Sequence, residues 1–277
     1  MGLCCLPRST PCVPRDVAEA AGQLAAARDD ATRERAARSI AAFCDDWADG
    51  NKVAARDAGA IGPLVDMLGR PRCSEVGALA LWKLSRCDAN KRAIAEAGGI
   101  PPLIQVLKSG TLVAKENAGA ALCNLGRTTD NKVAIAEAGA IPPLVDLVAD
   151  RVENAAVVLA NLADSNAANK ITIRRAGAIP PLVDLLTSGT ALGKADAAAA
   201  LGALADRNSD NESEIAKAGA IPPLVRLLTF GTAEAKEEAA GALWNLAMES
   251  DHEVAIARAG AIPPLVELLK SGTTEAK

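Results

Sequence analysis

Apolar residues along this chain come in short bursts at helical spacing, and the bursts repeat. The stretch AGAIPPLV at 138–145 returns as AGGIPPLI at 97–104, as AGAIPPLV at 176–183, 218–225 and 259–266, and as AGAIGPLV at 58–65. Its isoleucines, Ile61, Ile100, Ile141, Ile179, Ile221 and Ile262, are spaced by 39, 41, 38, 42 and 41 residues. So regular a period is the signature of a repeat solenoid.

The letters of the stretch have mechanical reasons. Gly139 follows NKVAIAEA, a run of helical composition, and a glycine there can take the left-handed conformation that closes a helix. Pro142 then opens the next helix, because the first turn has no use for the missing N–H and the ring presets φ. Each unit therefore reads as short helix 1, sharp corner, helix 2, loop and long helix 3. Residues 210–248 show all the parts. Helix 1 is NESEIAKA; helix 2 places Ile221, Leu224, Val225 and Leu228 on one side; Thr232 is the expected N-cap of helix 3. Helix 3 carries Ala235, Ala239, Ala242, Leu243 and Leu246 as a single stripe. No such unit buries its apolar faces alone, so stability has to come from neighbours stacking.

The expected organisation follows. Residues 1–14 are a flexible N-terminal segment and 15–48 an incomplete N-terminal capping repeat that has lost its first helix. Full repeats occupy 49–88, 89–128, 167–208 and 209–249. The repeat at 129–166 is short: four residues fewer separate Leu147 from Asn154 than Leu227 from Glu238. Four residues is about one helical turn, so a shortened helix 2 or helix 3 is expected there. Residues 250–277 form a truncated repeat ending at SGTTEAK, which matches FGTAEAK at 230–236, the opening of a helix 3. Ile262, Leu265, Val266 and Leu269 should then be partly uncovered, and the expectation is that the protein continues past 277 or that a partner covers this end.

Composition narrows the picture. Half the residues are apolar, yet only 2% are aromatic and none is tyrosine, so alanine and leucine must supply the packing. No run approaches the ~18 apolar residues of a membrane span. A net charge of −4 argues against sequence-independent nucleic-acid binding. Seven cysteines with no C-x-x-C pair suit a reducing, cytoplasmic compartment. No H-E-x-x-H, G-x-x-x-x-G-K-[ST] or G-x-S-x-G is present and the cysteines lack metal-ligand spacing, so no catalytic residue, metal, cofactor or small-molecule substrate is expected. His252, the single histidine, reads as a surface residue.

NKVAIAEAGAIPPLVDL followed by AKEEAAGALWNLA resembles the armadillo repeat family over residues 50–277. That family includes β-catenin, importin-α, the plant U-box ubiquitin ligases and the acylated vacuolar armadillo protein. The resemblance implies an all-α, right-handed superhelical solenoid of three-helix repeats, acting as a protein-interaction scaffold. Its third helices would line a concave groove holding an extended peptide segment of a partner protein. The family's main contact is a helix 3 asparagine that hydrogen-bonds the partner backbone. Position by position it falls on Asn124, Asn161 and Asn245, with Ala42, Lys83 and Ala203 in the same register elsewhere. Glu238, Gly241 and Asn245 form a stripe roughly 120° from the Leu243/Leu246 stripe, and an amide suits the task because it donates and accepts at once. The alternative is that these asparagines bond only to a neighbouring helix or to water.

Trp82 and Trp244 sit one residue before the register, as packing between third helices or as aromatics at the groove lip. Glutamates recur eight residues before it, at Glu34, Glu75, Glu116, Glu153 and Glu237. The helix macrodipole favours acids there; should they reach the groove, the partner segment would be basic. The tryptophans that importin-α places four residues before the asparagine are here Ala120, Val157 and Gly241, which weakens a nuclear-transport reading. The substrate-binding region of a U-box ligase is the other alternative. Met1-Gly2 followed by Cys4-Cys5 resembles the start of a dually acylated protein, with myristate on Gly2 and palmitate on Cys4 and Cys5 giving peripheral attachment to the cytosolic face of a membrane. Leu6 departs from the Ser or Thr that the motif prefers, and an unmodified N-terminus is the competing reading.

Overall fold

The structure, a computed structural model, describes residues 15–45 and 49–271. Among these residues there are nineteen helices and no strand. The cap is α1 (Val17–Ala26) and α2 (Asp30–Phe43), each opened by an aspartate, Asp16 and Asp29, whose side chain accepts a first-turn N–H. Three-helix units follow: α3 (Gly50–Asp57), α4 (Ile61–Leu68) and α5 (Ser74–Ser85); then α6 (Asp88–Glu96), α7 (Ile100–Ser109) and α8 (Leu112–Leu125). Next come α9 (Thr129–Glu137), α10 (Ile141–Ala149) and α11 (Asn154–Ala163), then α12 (Ala167–Arg175), α13 (Ile179–Ser188) and α14 (Ala191–Ala205). The last are α15 (Ser209–Lys217), α16 (Ile221–Phe230) and α17 (Ala233–Leu246), followed by α18 (Ser250–Arg258) and α19 (Ile262–Ser271).

The corner forms as its residues dictate. Gly139 has φ +78°, and the N–H groups of Gly139 and Ala140 bond Ala136 O at 3.0 Å and Ile135 O at 3.3 Å, the paired closure of a Schellman motif. Pro142 lies in the first turn of α10. In α17 the buried residues are Ala235, Ala239, Ala242, Leu243 and Leu246, and Thr232 Oγ1 accepts from Ala235 N at 3.2 Å. The missing turn of the short unit falls on helix 3: α11 has 10 residues where α8 has 14 and α14 has 15.

Third helices pack side by side, α2 on α5, α5 on α8, and so on to α17, and their alanines and leucines form one continuous core. A second, polar, set of contacts locks each helix 1 in place. Asn90, Asn131, Asn169 and Asn211 are buried, and each Nδ2 donates to the carbonyl at the end of its unit's preceding helix 3: Leu84 O at 3.2 Å, Leu125 O at 3.1 Å, Leu162 O at 2.9 Å and Leu204 O at 2.9 Å. At Leu162 and Leu204 the bond satisfies a carbonyl that the helix C-terminus leaves orphaned, and at Leu84 and Leu125 it joins a backbone N–H already there. Asn51 makes the same bond to Phe43 O at 2.7 Å.

His252 fills this position in the last unit, its Nδ1–H donating to Leu246 O at 3.3 Å. It is half-buried and structural, which corrects its reading as a surface residue: the ring substitutes for an asparagine amide.

Asn51, Asn90, Asn131 and Asn169 are each followed by a buried lysine, and Asn211 by the buried Glu212; in two units the lysine reaches the end of its own unit's helix 3. Lys132 Nζ bonds Asp164 O at 2.9 Å and its carboxylate at 2.6 Å, and Lys170 Nζ bonds Asp206 O and, at 2.9 Å, its carboxylate. Lys132 and Lys170 therefore tie helix 1 to the end of helix 3 in their own units, whereas Lys91 pairs with Asp88 on its own helix. At the C-terminal end Ile262, Val266 and Leu269 are exposed, as are Trp244 and Met248, whereas Leu265 packs against the core.

Candidate protein-binding groove

The register positions share one face of the third-helix stack, and the asparagines on it are half-buried. Each reaches back to the third helix before it. Asn245 Nδ2 donates to Gly202 O at 3.0 Å, Asn161 Nδ2 to Cys123 O and Sγ at 3.2 Å each, and Asn124 Nδ2 to Ser85 Oγ at 3.0 Å. Among the described residues the Oδ1 of each has no partner, so every rung keeps an acceptor and a second amide hydrogen while its orientation is fixed. Asn245, Glu238, Ala203, Gly202, Asp206 and Asp164 line one concavity of about 270 Å³.

A second row lies two turns earlier, of which the reading of the sequence picked out only Glu238. Seven residues before the register stand Asn117, Asn154, Asp196 and Glu238. Asn117 Nδ2 donates to Glu75 O at 3.4 Å and Asn154 Nδ2 to Glu116 O at 3.0 Å, the geometry of the register row repeated. Its signal was the seven-residue interval, which keeps two helical positions on one face.

In the last two full units this row is acidic. Burial, together with Glu234, Glu153 and Glu238 nearby, pushes the Asp196 carboxyl up to about 7. Burial, then Glu237 and Glu234, raises that of Glu238. Carboxyls this hard to ionise are held close together in partial shelter from water.

At the other end Lys83 Nζ lies 2.5 Å from an Asp45 carboxylate oxygen and 4.3 Å from the centre of the Trp82 ring. Trp82 is half-buried; Trp244, with no described third helix beyond it, is 68% exposed. Two of the recurrent glutamates act between units rather than only on their own helix. Glu75 Oε2 accepts from Thr111 Oγ1 at 2.9 Å, and Glu153 accepts from Thr190 N at 2.7 Å and from its hydroxyl. A Cβ on Gly193 would fall 2.4 Å from the Glu153 carboxyl carbon, so this close approach requires glycine.

Cys44, Cys73 and Cys87 are buried and Cys123 is half-buried; burial raises the thiols of Cys73 and Cys123. Among the described residues no group of three His, Cys, Asp or Glu is placed to hold a metal, and no helix is long and apolar enough to cross a membrane. Gly2, Cys4 and Cys5 lie outside the described residues.

The Armadillo/beta-catenin-like repeat matches this chain at residues 87–127, 166–206 and 208–248. An engineered protein of known structure is 32% identical, with a TM-score of 0.84, and covers 94% of this chain. The chain belongs to the armadillo repeat family. It spans 65% of the length of that engineered protein. A second engineered protein is 30% identical over 84% of the armadillo chain and 96% of its own, with a TM-score of 0.78. A computationally designed armadillo repeat protein for modular peptide recognition is 26% identical, with a TM-score of 0.74, over 83% of this chain and 99% of its own. No curated protein matches the sequence.

Proposed function

We propose that this armadillo array is a non-catalytic scaffold that holds an extended segment of a partner protein against its third-helix face. The observation that carries the reading is the half-satisfied amide row. Asn124, Asn161 and Asn245 each spend one N–H on the helix behind and keep Oδ1 and the other N–H for a peptide group. Backbone recognition by such a row suits a strand-like ligand, and the designed relative built for peptide recognition supports it. The gap at Ala203 removes one rung, while Asp196 and Glu238 beside it favour Lys or Arg side chains on the partner.

Third helices stand about 8–10 Å apart, so a peptide of about twelve residues, about 40 Å when extended, crosses about four of them. Fluorescence anisotropy with labelled Lys/Arg-containing peptides of that length, against the same peptides with Glu at the charged positions, tests the reading. The basic set should bind, and the combined Asn124→Ala, Asn161→Ala, Asn245→Ala variant should lose binding while its circular dichroism is unchanged. Equal binding by wild type and variant would remove the groove assignment.

Attachment of the scaffold to a membrane through Gly2, Cys4 and Cys5 is supported by residue order alone. Metabolic labelling with a myristate analogue should mark wild type and not Gly2→Ala; an unlabelled wild type excludes it.

A further inference from the structure

One edge of the array departs from its own repeat. The loop between helices 2 and 3 reads Ser109-Gly110-Thr111 and Ser188-Gly189-Thr190, but Phe230-Gly231-Thr232 in the unit of α16 and α17; the same Ser-Gly-Thr triplet recurs in the sequence at 271–273. Phe230 is one of two phenylalanines in the chain and is 79% exposed, whereas the other, Phe43, packs against the core. A lone exposed apolar side chain needs no explanation. A second departure lies one turn earlier on the same helix: Arg226 stands where the other second helices carry Asp66, Gln105, Asp146, Asp184 and Glu267. Residues four apart on a helix are surface neighbours.

Both side chains line one cavity of about 540 Å³, formed between the α13–α14 and α16–α17 connections. Leu186, Leu227 and Pro223 give it apolar walls, and Lys194 stands on the α14 side. Neither Arg226 nor Lys194 pairs with a carboxylate among the described residues. The volume falls within the roughly 300–1,000 Å³ of pockets that enclose a ligand group. None of the register asparagines lines it, and its charge is opposite to that of the Asp196/Glu238 region.

We propose that this cavity is a second docking site, for an acidic segment of a protein partner that seats one large apolar side chain beside Phe230 and sets flanking Asp or Glu carboxylates on Arg226 and Lys194. The assignment is independent of the groove reading. It rests on an apolar residue and a cation having replaced a hydroxyl and a carboxylate at two positions that open into the same space.

The repeat itself supplies controls that leave the fold intact, since Phe230→Ser and Arg226→Asp install residues that other units carry at these positions. A phage-displayed library of random octapeptides is selected on the full chain and counter-selected on the Phe230→Ser/Arg226→Asp double variant. Enriched peptides are then measured by anisotropy. The expected result is a consensus of one large apolar residue flanked by Asp or Glu, with each single substitution weakening binding about tenfold. The Asn124→Ala, Asn161→Ala, Asn245→Ala variant should bind these peptides as wild type does, which separates this site from the groove. The proposal is overturned if no peptide distinguishes wild type from the double variant, or if the enriched peptides are basic. Phe230-dependent self-association, or Phe230-dependent binding to anionic vesicles without any peptide consensus, would equally overturn it by naming a different occupant.

Discussion

Asp196 gives the most direct test of the packing on the groove face. Its carboxyl ionises near 7 in the folded chain, against an ordinary 3.8, because burial and three glutamates, Glu153, Glu234 and Glu238, oppose the charge. Below about pH 4 both folded and unfolded chains hold the proton and the group is neutral in its effect. Between about 4 and 7 the unfolded chain ionises while the folded chain does not, so stability falls steadily with rising pH; above about 7 the loss is complete. At about 1.4 kcal/mol per pH unit, the gap would be worth somewhat over 4 kcal/mol for a fully enclosed carboxylate. Asp196 is half-exposed, and screening by solvent and salt reduces the expected effect to on the order of 1–2 kcal/mol. Asp196→Asn removes the charge and keeps the shape. Urea unfolding of variant and wild type from pH 4 to pH 8.5 should show the two curves together at pH 4, diverging through pH 5 and 6, with the variant more stable by that amount above pH 7. Parallel behaviour across the range would mean that the four carboxyls are not gathered as described.

Other consequences follow from single contacts. Asn169→Ala deletes a buried bond to Leu162 O at 2.9 Å and leaves that carbonyl unpaired, so urea denaturation should show a loss of about 1–3 kcal/mol. Gly139→Ala, at φ +78°, should cost about 1–2 kcal/mol by the same measurement. Gly193→Ala should destabilise wild type because its Cβ displaces the Glu153 carboxylate, but in a Glu153→Ala background the helix preference for alanine should make it neutral or stabilising by up to about 1 kcal/mol. A basic groove peptide should bind more tightly at pH 8 than at pH 6, since its charges favour the ionised form of Asp196; an affinity flat across that interval in anisotropy titrations would separate the peptide from this carboxyl.

The parts of the fold that were legible in the sequence are those made by neighbours along the chain. Gly139 and Pro142 act within a turn, and the stripe of Ala235, Ala239, Ala242, Leu243 and Leu246 follows from helical geometry alone. Contacts between units were not legible, because they join residues about forty positions apart through a stacking register that no local pattern encodes. Asn245 to Gly202 and Asn161 to Cys123 are of this kind. The NK dipeptide recurs at 51–52, 90–91, 131–132 and 169–170, but lysine is rarely buried, so nothing in the pair itself marks it as an inward-facing contact of helix 1. The pKa of Asp196 was further out of reach, since it depends on acids from three helices.

A repeat can specify a partner only where its units differ, because identical units offer the same contacts at every step. The units of α6–α11 keep asparagine in both rows, Asn124 and Asn161 with Asn117 and Asn154, carboxylate or amide on the second helices, and lysine after the helix 1 asparagine, whereas the unit of α3–α5 has Lys83 and Val76 in the two rows. Six further departures lie later: Ala203 for the register asparagine, Asp196 and Glu238 in the second row, Glu212 for the buried lysine, Arg226 for Asp and Phe230 for Ser. All six fall between residues 196 and 238, on two adjacent units, while the core residues of those units remain those of the repeat. Packing is therefore kept along the solenoid while the chemistry of the polar positions shifts in these two units. A partner that reads more than backbone has its distinguishing contacts there, basic toward Asp196 and Glu238 and acidic toward Arg226.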